Sequence, residues 1–287
     1  MFPRSLLALV LAIAVVPAAC RREPPAREYP ITGHVLAVKD DGTEITMRHD
    51  DIEGFMPAMT MPFKVKDASV VKGRQVGDLV KGTLVVTDED AWLSRIEKTG
   101  WAPFEAREEA PRPEVEILKP GDPVPDETFI DQDGNAVRLS DLKGSAVLVT
   151  FIYTRCPLPD FCPRMDRKFA AVQRAVKDGV FQQRVRLLSV SFDPAYDSPA
   201  VLREHAARVG ADSKVWTYVT APADRVDAFG ARLGLDVIRN PKNPADITHN
   251  LRTAVIDREG RLVTVLNGNG WTPDEAITAL AKLPVEP

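Results

Sequence analysis

The chain of 287 residues carries a formal charge of −4, with 44% hydrophobic and 27% charged residues. That balance is ordinary for a globular protein and supplies no basic surface for a nucleic-acid partner. The length suggests two domains, and three cysteines exclude a scaffold held by many disulfides.

From the N-terminus, Arg4 precedes an unbroken apolar run of eleven residues, Leu6 to Val16, and Pro17-Ala18-Ala19 places small residues before Cys20. Residues 1–19 read as an export signal. A helix of that run spans about 16 Å, half a bilayer core, which is short for a permanent span. Ala18-Ala19-Cys20 resembles a bacterial lipoprotein processing site, with Pro17 where that motif usually has Leu or Val. The resemblance implies a lipid on Cys20 and membrane association through it; the alternative is ordinary cleavage nearby. Either way the mature chain is expected on the periplasmic side, anchored as a lipoprotein or soluble. Residues 20–29 read as a polar tether.

Residues 30–99 carry about five short strand patterns and no helix. Ile31–Val38 is the first, and Ile45, Met47 and His49 alternate with polar residues, as do Met59, Met61, Phe63 and Val65. Val80–Val86 and Trp92–Lys98 complete the set. A small all-β, OB-like barrel is expected, because closure removes exposed edges. Residues 100–116, rich in proline and glutamate, read as a linker.

From residue 117 to 287 strands and helices alternate, predicting an α/β domain with a mixed sheet. Asp131-Gln132-Asp133-Gly134 is a hairpin signal, and Ala146–Tyr153 is apolar enough for a strand buried on both faces. A helix is expected from Pro163, and Val185–Phe192 forms a second buried strand. Ser198 caps a helix that Pro199 opens. Leu251–Ile256 and Leu262–Leu266 flank a turn at Glu259-Gly260, and Thr272-Pro273-Asp274-Glu275 is a capping box.

Cys156 and Cys162 lie between a buried strand and a helix, a junction where α/β folds place reactive groups. Pro163 suits a first helical turn, so Cys162 is expected at the helix N-terminus, where the dipole favours a thiolate. Two thiolates there can hold a soft ion or close a disulfide, catalytic or structural. Thioredoxins have two residues between their cysteines whereas five stand here, and the peroxiredoxin Pro-x-x-x-Thr-x-x-Cys pattern is absent. Four segments instead resemble the Sco/SenC family, thioredoxin-fold proteins that bind copper during cytochrome oxidase assembly. They are Asp131-Gln132-Asp133-Gly134, Leu139-Ser140-Asp141-Leu142-Lys143-Gly144, the strand ending Thr150-Phe151-Ile152-Tyr153-Thr154-Arg155-Cys156, and Ser189-Val190-Ser191-Phe192-Asp193-Pro194 with Asp197. The family usually has three residues between its cysteines, so this loop is two longer.

The chain has four histidines, His34, His49, His205 and His249. His249 follows an irregular stretch from Asn240 to Pro244 and precedes the strand Leu251–Ile256. A loop histidine is ordinarily just solvated. The family resemblance implies that His249 is the third copper ligand beside Cys156 and Cys162, with Thr248 where the family often has Asp. His205, inside a charged helix, is expected at the surface.

Four of six methionines fall between Met47 and Met61. Met59 and Met61 are two apart and face the same way in a strand. They share parity with Phe63 and Val65, a pattern of core filler, although thioether sulfur also suits Cu(I). Residues 30–99, with Met59-Thr60-Met61 and the upstream His49, resemble the CusF-like Cu(I)/Ag(I)-binding barrels of periplasmic efflux systems. That resemblance implies a second copper site at His49, Met56, Met59 and Met61. Met56 stands where that family often has a tryptophan, and the His-to-Met interval is one residue shorter.

Three functions follow. One is a periplasmic metallochaperone delivering copper, as Cu(I) and also as Cu(II), to a cytochrome c oxidase copper-site subunit or another periplasmic copper protein. The second is an enzyme, a thiol–disulfide reductase in which Cys156 and Cys162 act as a redox pair on copper-site cysteines. The third is copper sequestration or resistance. Neutral thioethers should hold Cu(I) more weakly than thiolates, so copper is expected to run from barrel to second domain. A flexible linker would give the two an end-to-end separation of about 20–25 Å.

Overall fold

Five antiparallel strands form the N-terminal domain: β1 (Arg27–Val38), β2 (Glu44–His49), β3 (Met59–Lys64), β4 (Asp78–Val86) and β5 (Ala91–Trp101). The structure, a computed structural model, describes residues 25–103, 115–241 and 243–284. The expected signal segment, Cys20 and residues 104–114 of the expected linker lie outside them. The strand order is β3-β2-β1-β4-β5, and a bridge between Val65 and Leu93 brings the two outer strands together. Alternation in β2 sends Ile45, Met47 and His49 inward, where they meet Ile31, Val35, Phe63, Leu84 and Leu93. Gly33 lets β1 and β2 approach, since a Cβ there would stand 2.6 Å from the Arg48 carbonyl oxygen.

The second domain has the hairpin β6 (Thr128–Asp131) and β7 (Ala136–Arg138), then β8 (Ser145–Ile152), α1 (Cys162–Lys177), β9 (Arg184–Ser191), α2 (Pro199–Val209), β10 (Trp216–Thr220) and α3 (Ala223–Arg232). It continues with β11 (Val237–Asn240), β12 (Asn243–His249), β13 (Arg252–Ile256), β14 (Leu262–Asn267) and α4 (Pro273–Ala281). Seven strands form one mixed sheet in the order β14-β13-β8-β9-β10-β6-β7. The pairs β8–β9 and β9–β10 are parallel; β13 runs antiparallel to β8, and β6 to β10. All eight residues of β8 are buried, as its apolar run requires. Phe169 of α1 packs on Trp216 and His205 of α2 on Tyr218, while Phe229 of α3 meets Phe129 and Phe151. Among the described residues no helix is long and apolar enough to cross a membrane.

Two expectations change. His205 is buried, not at the surface: Leu202, His205 and Ala206 form the inward stripe of α2. Its Nε2 lies 2.9 Å from the carboxylate of Asp166, which also accepts 2.7 Å from the Tyr218 hydroxyl. The stretch read as irregular before His249 is a β-hairpin, β11–β12, in which Val237 pairs with His249.

The domains touch along β3, an outer strand of its sheet. The Thr60 N–H donates to Asp246 (3.2 Å), and the Thr60 carbonyl accepts from the Thr248 hydroxyl (3.2 Å). The Asn243 amide donates to the Ala58 carbonyl at 3.0 Å. Side chains of β12 thus satisfy edge groups that would otherwise invite another strand. The loop between the cysteines supplies the second contact. Leu158, 2% exposed, sits in the hydrophobic core of the barrel, with Phe161 packed beside it. Asp160, 1% exposed at its side chain, pairs with Lys64 at 2.7 Å. Arg164 and Arg167 of α1 donate to the Glu89 carbonyl in the β4–β5 turn. Full burial of a leucine contributes about 1.5–3 kcal/mol, so Leu158 is a main anchor of the joint. Leu158→Asp, which places a carboxylate in that apolar seat, is expected to separate the domains. Small-angle scattering should show a larger radius of gyration, with far-UV circular dichroism unchanged.

Candidate metal centre

The chain leaves β8 through Tyr153-Thr154-Arg155 and reaches Cys156 on a turn held by two carboxylates. Asp197 accepts from the Thr154 N–H at 3.1 Å and from the hydroxyls of Thr154 and Ser191. Asp193 accepts from the Arg155 guanidinium at 2.7 Å, and Arg155 also donates to the Pro244 carbonyl at 2.8 Å. Asp193 and Asp197 are therefore positioning residues for Cys156, since none of their contacts reaches its sulfur.

Cys162 is the first residue of α1, and both thiols are free. Their acidities split, and in the opposite sense to the expectation from the helix dipole. Burial pushes the Cys162 thiol well up, and the neighbouring Cys156 adds to that shift. Cys156, partly exposed, is held below the ordinary thiol value by a hydrogen bond from Cys162. Desolvation outweighs the dipole at Cys162, so Cys156 is the more acidic thiol of the pair.

His249 closes β12 with its ring against Phe192 (4.6 Å between centroids) and Tyr153 (5.6 Å). Its Nδ1 lies 2.9 Å from the Asn250 carbonyl, so Nδ1 carries the proton and Nε2 keeps the lone pair. Burial pushes its pKa down to about 4, so the ring is neutral, as a metal ligand must be. His49 repeats the device in the barrel. Its Nδ1 donates to the Asp50 carbonyl at 2.7 Å, its Nε2 is buried with no hydrogen-bond partner, and burial lowers its pKa. A buried imidazole nitrogen without a partner, on a strand paired with one that carries thioethers, is the donor pattern expected at a soft-ion site.

The register places His49 opposite Met59, and Met47 opposite Met61. Met59 and Met56 are buried in the barrel core, Met56 bridging to Ile52, while Met61 is half-buried. A cavity of ≈ 20 Å³ lies where the domains meet. Met59 and Met61 are among the residues lining it from the barrel, and Cys156, His249, Tyr153 and Phe161 from the second domain. Cys162 does not line it. Among the described residues no three His, Cys, Asp or Glu side chains stand together closely enough to hold one ion. Cys156 and His249 line the chamber together with Met59 and Met61, while Cys162, hydrogen-bonded to Cys156, lies outside it, so the three expected ligands do not stand as a set in the metal-free chain.

Sequence reasoning did not single out Lys64, Leu158, Asp160 or Asp246. The two extra residues of the cysteine loop were the available signal for Leu158 and Asp160. Thr248 was noticed as a missing carboxylate; its hydroxyl instead reaches the barrel.

Comparison with known proteins follows the two-domain division. A family model described as SCO1/SenC matches residues 122–284, and one described as copper binding periplasmic protein CusF matches residues 28–98. The SCO1 protein homolog of Bacillus subtilis (strain 168) is 28% identical over 156 residues, 54% of this chain and 79% of that protein. Protein sco1 of Schizosaccharomyces pombe is 35% identical over 79 residues, 27% of this chain and 28% of that protein. A solved structure of a SCO1/SenC family lipoprotein from Bacillus anthracis str. Ames aligns with a TM-score of 0.52 at 23% identity. It covers 58% of this chain and 98% of that one, which shows the fold, a thioredoxin-like α/β domain after a five-stranded antiparallel β domain.

Two measurements check the site's electrostatics. Brief alkylation near neutral pH should modify Cys156 ahead of Cys162, read by peptide mass spectrometry; the reverse order would contradict the acidity split. The buried histidines also set a pH dependence. Unfolded His titrates near pH 6.5 and folded His249 near 4, so in that window the unfolded state binds more protons. The stability of the metal-free chain is expected to fall as pH drops from about 6.5 toward 4. His249→Gln should flatten the slope between about pH 6.5 and 5 in urea titrations.

Proposed function

The chain belongs to the SCO1/SenC family and carries an N-terminal CusF-like copper-binding domain, and from that premise we propose that it is an exported copper metallochaperone supporting assembly of a cytochrome c oxidase copper site. Copper is its cargo. Cys156, Cys162 and His249, which do not stand as a set in the metal-free chain, close on it in the second domain, and His49, Met59 and Met61, with Met56 beside them, bind it in the barrel. The observation that carries this reading is the meeting of a thiol, Cys156, a neutral imidazole, His249, and two methionines, Met59 and Met61, around one small cavity. These are soft and intermediate donors, matched to Cu(I) and poorly matched to hard cations. The cytochrome oxidase recipient is drawn from the family alone. On this reading the export signal at residues 1–19 directs the protein to the periplasmic side, where it is anchored by a lipid on Cys20 or soluble.

The split acidity of the cysteines favours a second reading, a thiol–disulfide reductase. Cys156 as thiolate would attack a disulfide sulfur of the partner and expel one thiolate, leaving a mixed disulfide. Cys162, losing its proton, would then attack Cys156 sulfur and release the second. Under this reading Cys162→Ser accumulates the mixed disulfide.

Titration of the reduced full chain with Cu(I) against a chromophoric chelator separates the readings. The double variant C156S/C162S should lose the tightest site. His249→Ala should weaken it less, because both thiolates remain. Oxidation to a Cys156–Cys162 disulfide should abolish it, since a disulfide offers no thiolate. Retained affinity in the double variant would reject copper binding at this pair.

A further inference from the structure

Resting on the reading that both domains handle copper, we propose that the docked chain builds a composite site for a single monovalent soft ion. Cys156 and His249 supply one wall, and the thioethers of Met59 and Met61 the other. Neither domain contains this site alone.

Four features of the joint lead to it. The first is the content of the chamber: its sulfur and imidazole donors stand among Tyr153, Phe161, Ile247 and Pro62, with no carboxylate in the lining. A hard divalent cation finds no oxygen anions there. The second is size. A cavity of ≈ 20 Å³ has room for about one water-sized occupant, hence for one ion stripped of its hydration shell and for no organic ligand.

The third is that the bonds closing the joint are adjacent to the donors. Thr60 stands between Met59 and Met61, and its carbonyl accepts from Thr248, the neighbour of His249. The Thr60 N–H is held by Asp246, three residues before His249. Docking therefore fixes the spacing of the two donor walls next to Met59, Met61 and His249. Each donor is also set from behind. The Asn250 carbonyl orients His249, the Asp193 and Asp197 contacts hold the turn carrying Cys156, and pairing with β2 holds Met59 and Met61.

The fourth is the length of the cysteine loop. Its five residues seat Leu158 in the barrel core and bring Asp160 to Lys64. The additional length is used for docking, and docking brings sulfur from the barrel to Cys156. On binding, the Cys156 thiol gives its proton to solvent and the thiolate neutralises the single charge of the ion. Cys162 stays behind Cys156, outside the chamber.

The test uses the reduced full chain, labelled with selenomethionine and loaded with less than one equivalent of Cu(I). X-ray absorption at the copper edge should show selenium and sulfur around the same ion. The sulfur contact should vanish in Cys156→Ser and the selenium contact should weaken in Leu158→Asp. In chelator competition, both Met59→Leu/Met61→Leu and Leu158→Asp should weaken the Cys156-dependent site by about tenfold or more. The second variant alters no donor. A Cys156-dependent site that keeps its affinity in both variants, or a substoichiometric copper spectrum with sulfur and no selenium, would overturn the composite site and leave the proposed copper function standing. Unchanged binding in Cys156→Ser would overturn both.

Discussion

The docking of β12 on the outer edge of β3 determines how the rest of this molecule works. An edge strand presents unpaired N–H and C=O groups, and a barrel closed by a single bridge leaves such groups on β3. Here Thr60 finds both partners in side chains of the second domain, Asp246 and Thr248. The Met59 and Met61 flanking Thr60 are carried to the junction by the same bonds. Protection of the edge and placement of the thioethers are one structural event.

Burial sets the chemistry on both sides of that junction. Each of the two histidines places Nδ1 on the carbonyl of the following residue, Asp50 or Asn250. Desolvation lowers the pKa of each, that of His249 to about 4. The same desolvation, acting on two adjacent thiols, makes Cys162 the weaker acid despite its place at a helix N-terminus. The helix dipole acts within its first turn and is worth roughly 1 kcal/mol or less in exposed positions, whereas burial of a charged group shifts a pKa by up to several units.

Much of this was legible in the chain. Alternation located all five barrel strands, and the caps at Ser198 and Thr272 are where their side chains predicted. The cysteine pair, His249, His49 and the Met59-Thr60-Met61 run were visible as candidates because rare, soft side chains stand out against composition. Three things were not. The burial of His205 depends on a partner, Asp166, far away in sequence. The β11–β12 hairpin carries prolines and polar residues, which local patterns read as irregular chain. The contact between domains depends on Leu158 and Asp160, one apolar and one acidic residue in a loop, and neither type marks a joint until the opposing Lys64 and barrel core are known.

For the proposed chaperone function, the closed arrangement would carry a cost for delivery. Cys156 and His249 share a chamber with the barrel, so a recipient protein cannot approach both while β3 is docked. Under that function, release of copper to another protein would require that the joint open. Its contacts divide by strength in a way that suits this. Leu158 and the buried Asp160 make opening unfavourable at rest, because an apolar seat is exposed and an ion pair is broken. Three bonds from β12 to Thr60 of β3 and to Ala58 just before it are side chain to backbone and can be exchanged for water with small net loss. A recipient that offered its own apolar residue to the barrel seat, or its own edge to β3, would offset the larger part of that cost. Selectivity for the recipient would then reside in the barrel surface freed on opening, and the copper ligands themselves need not distinguish one partner from another.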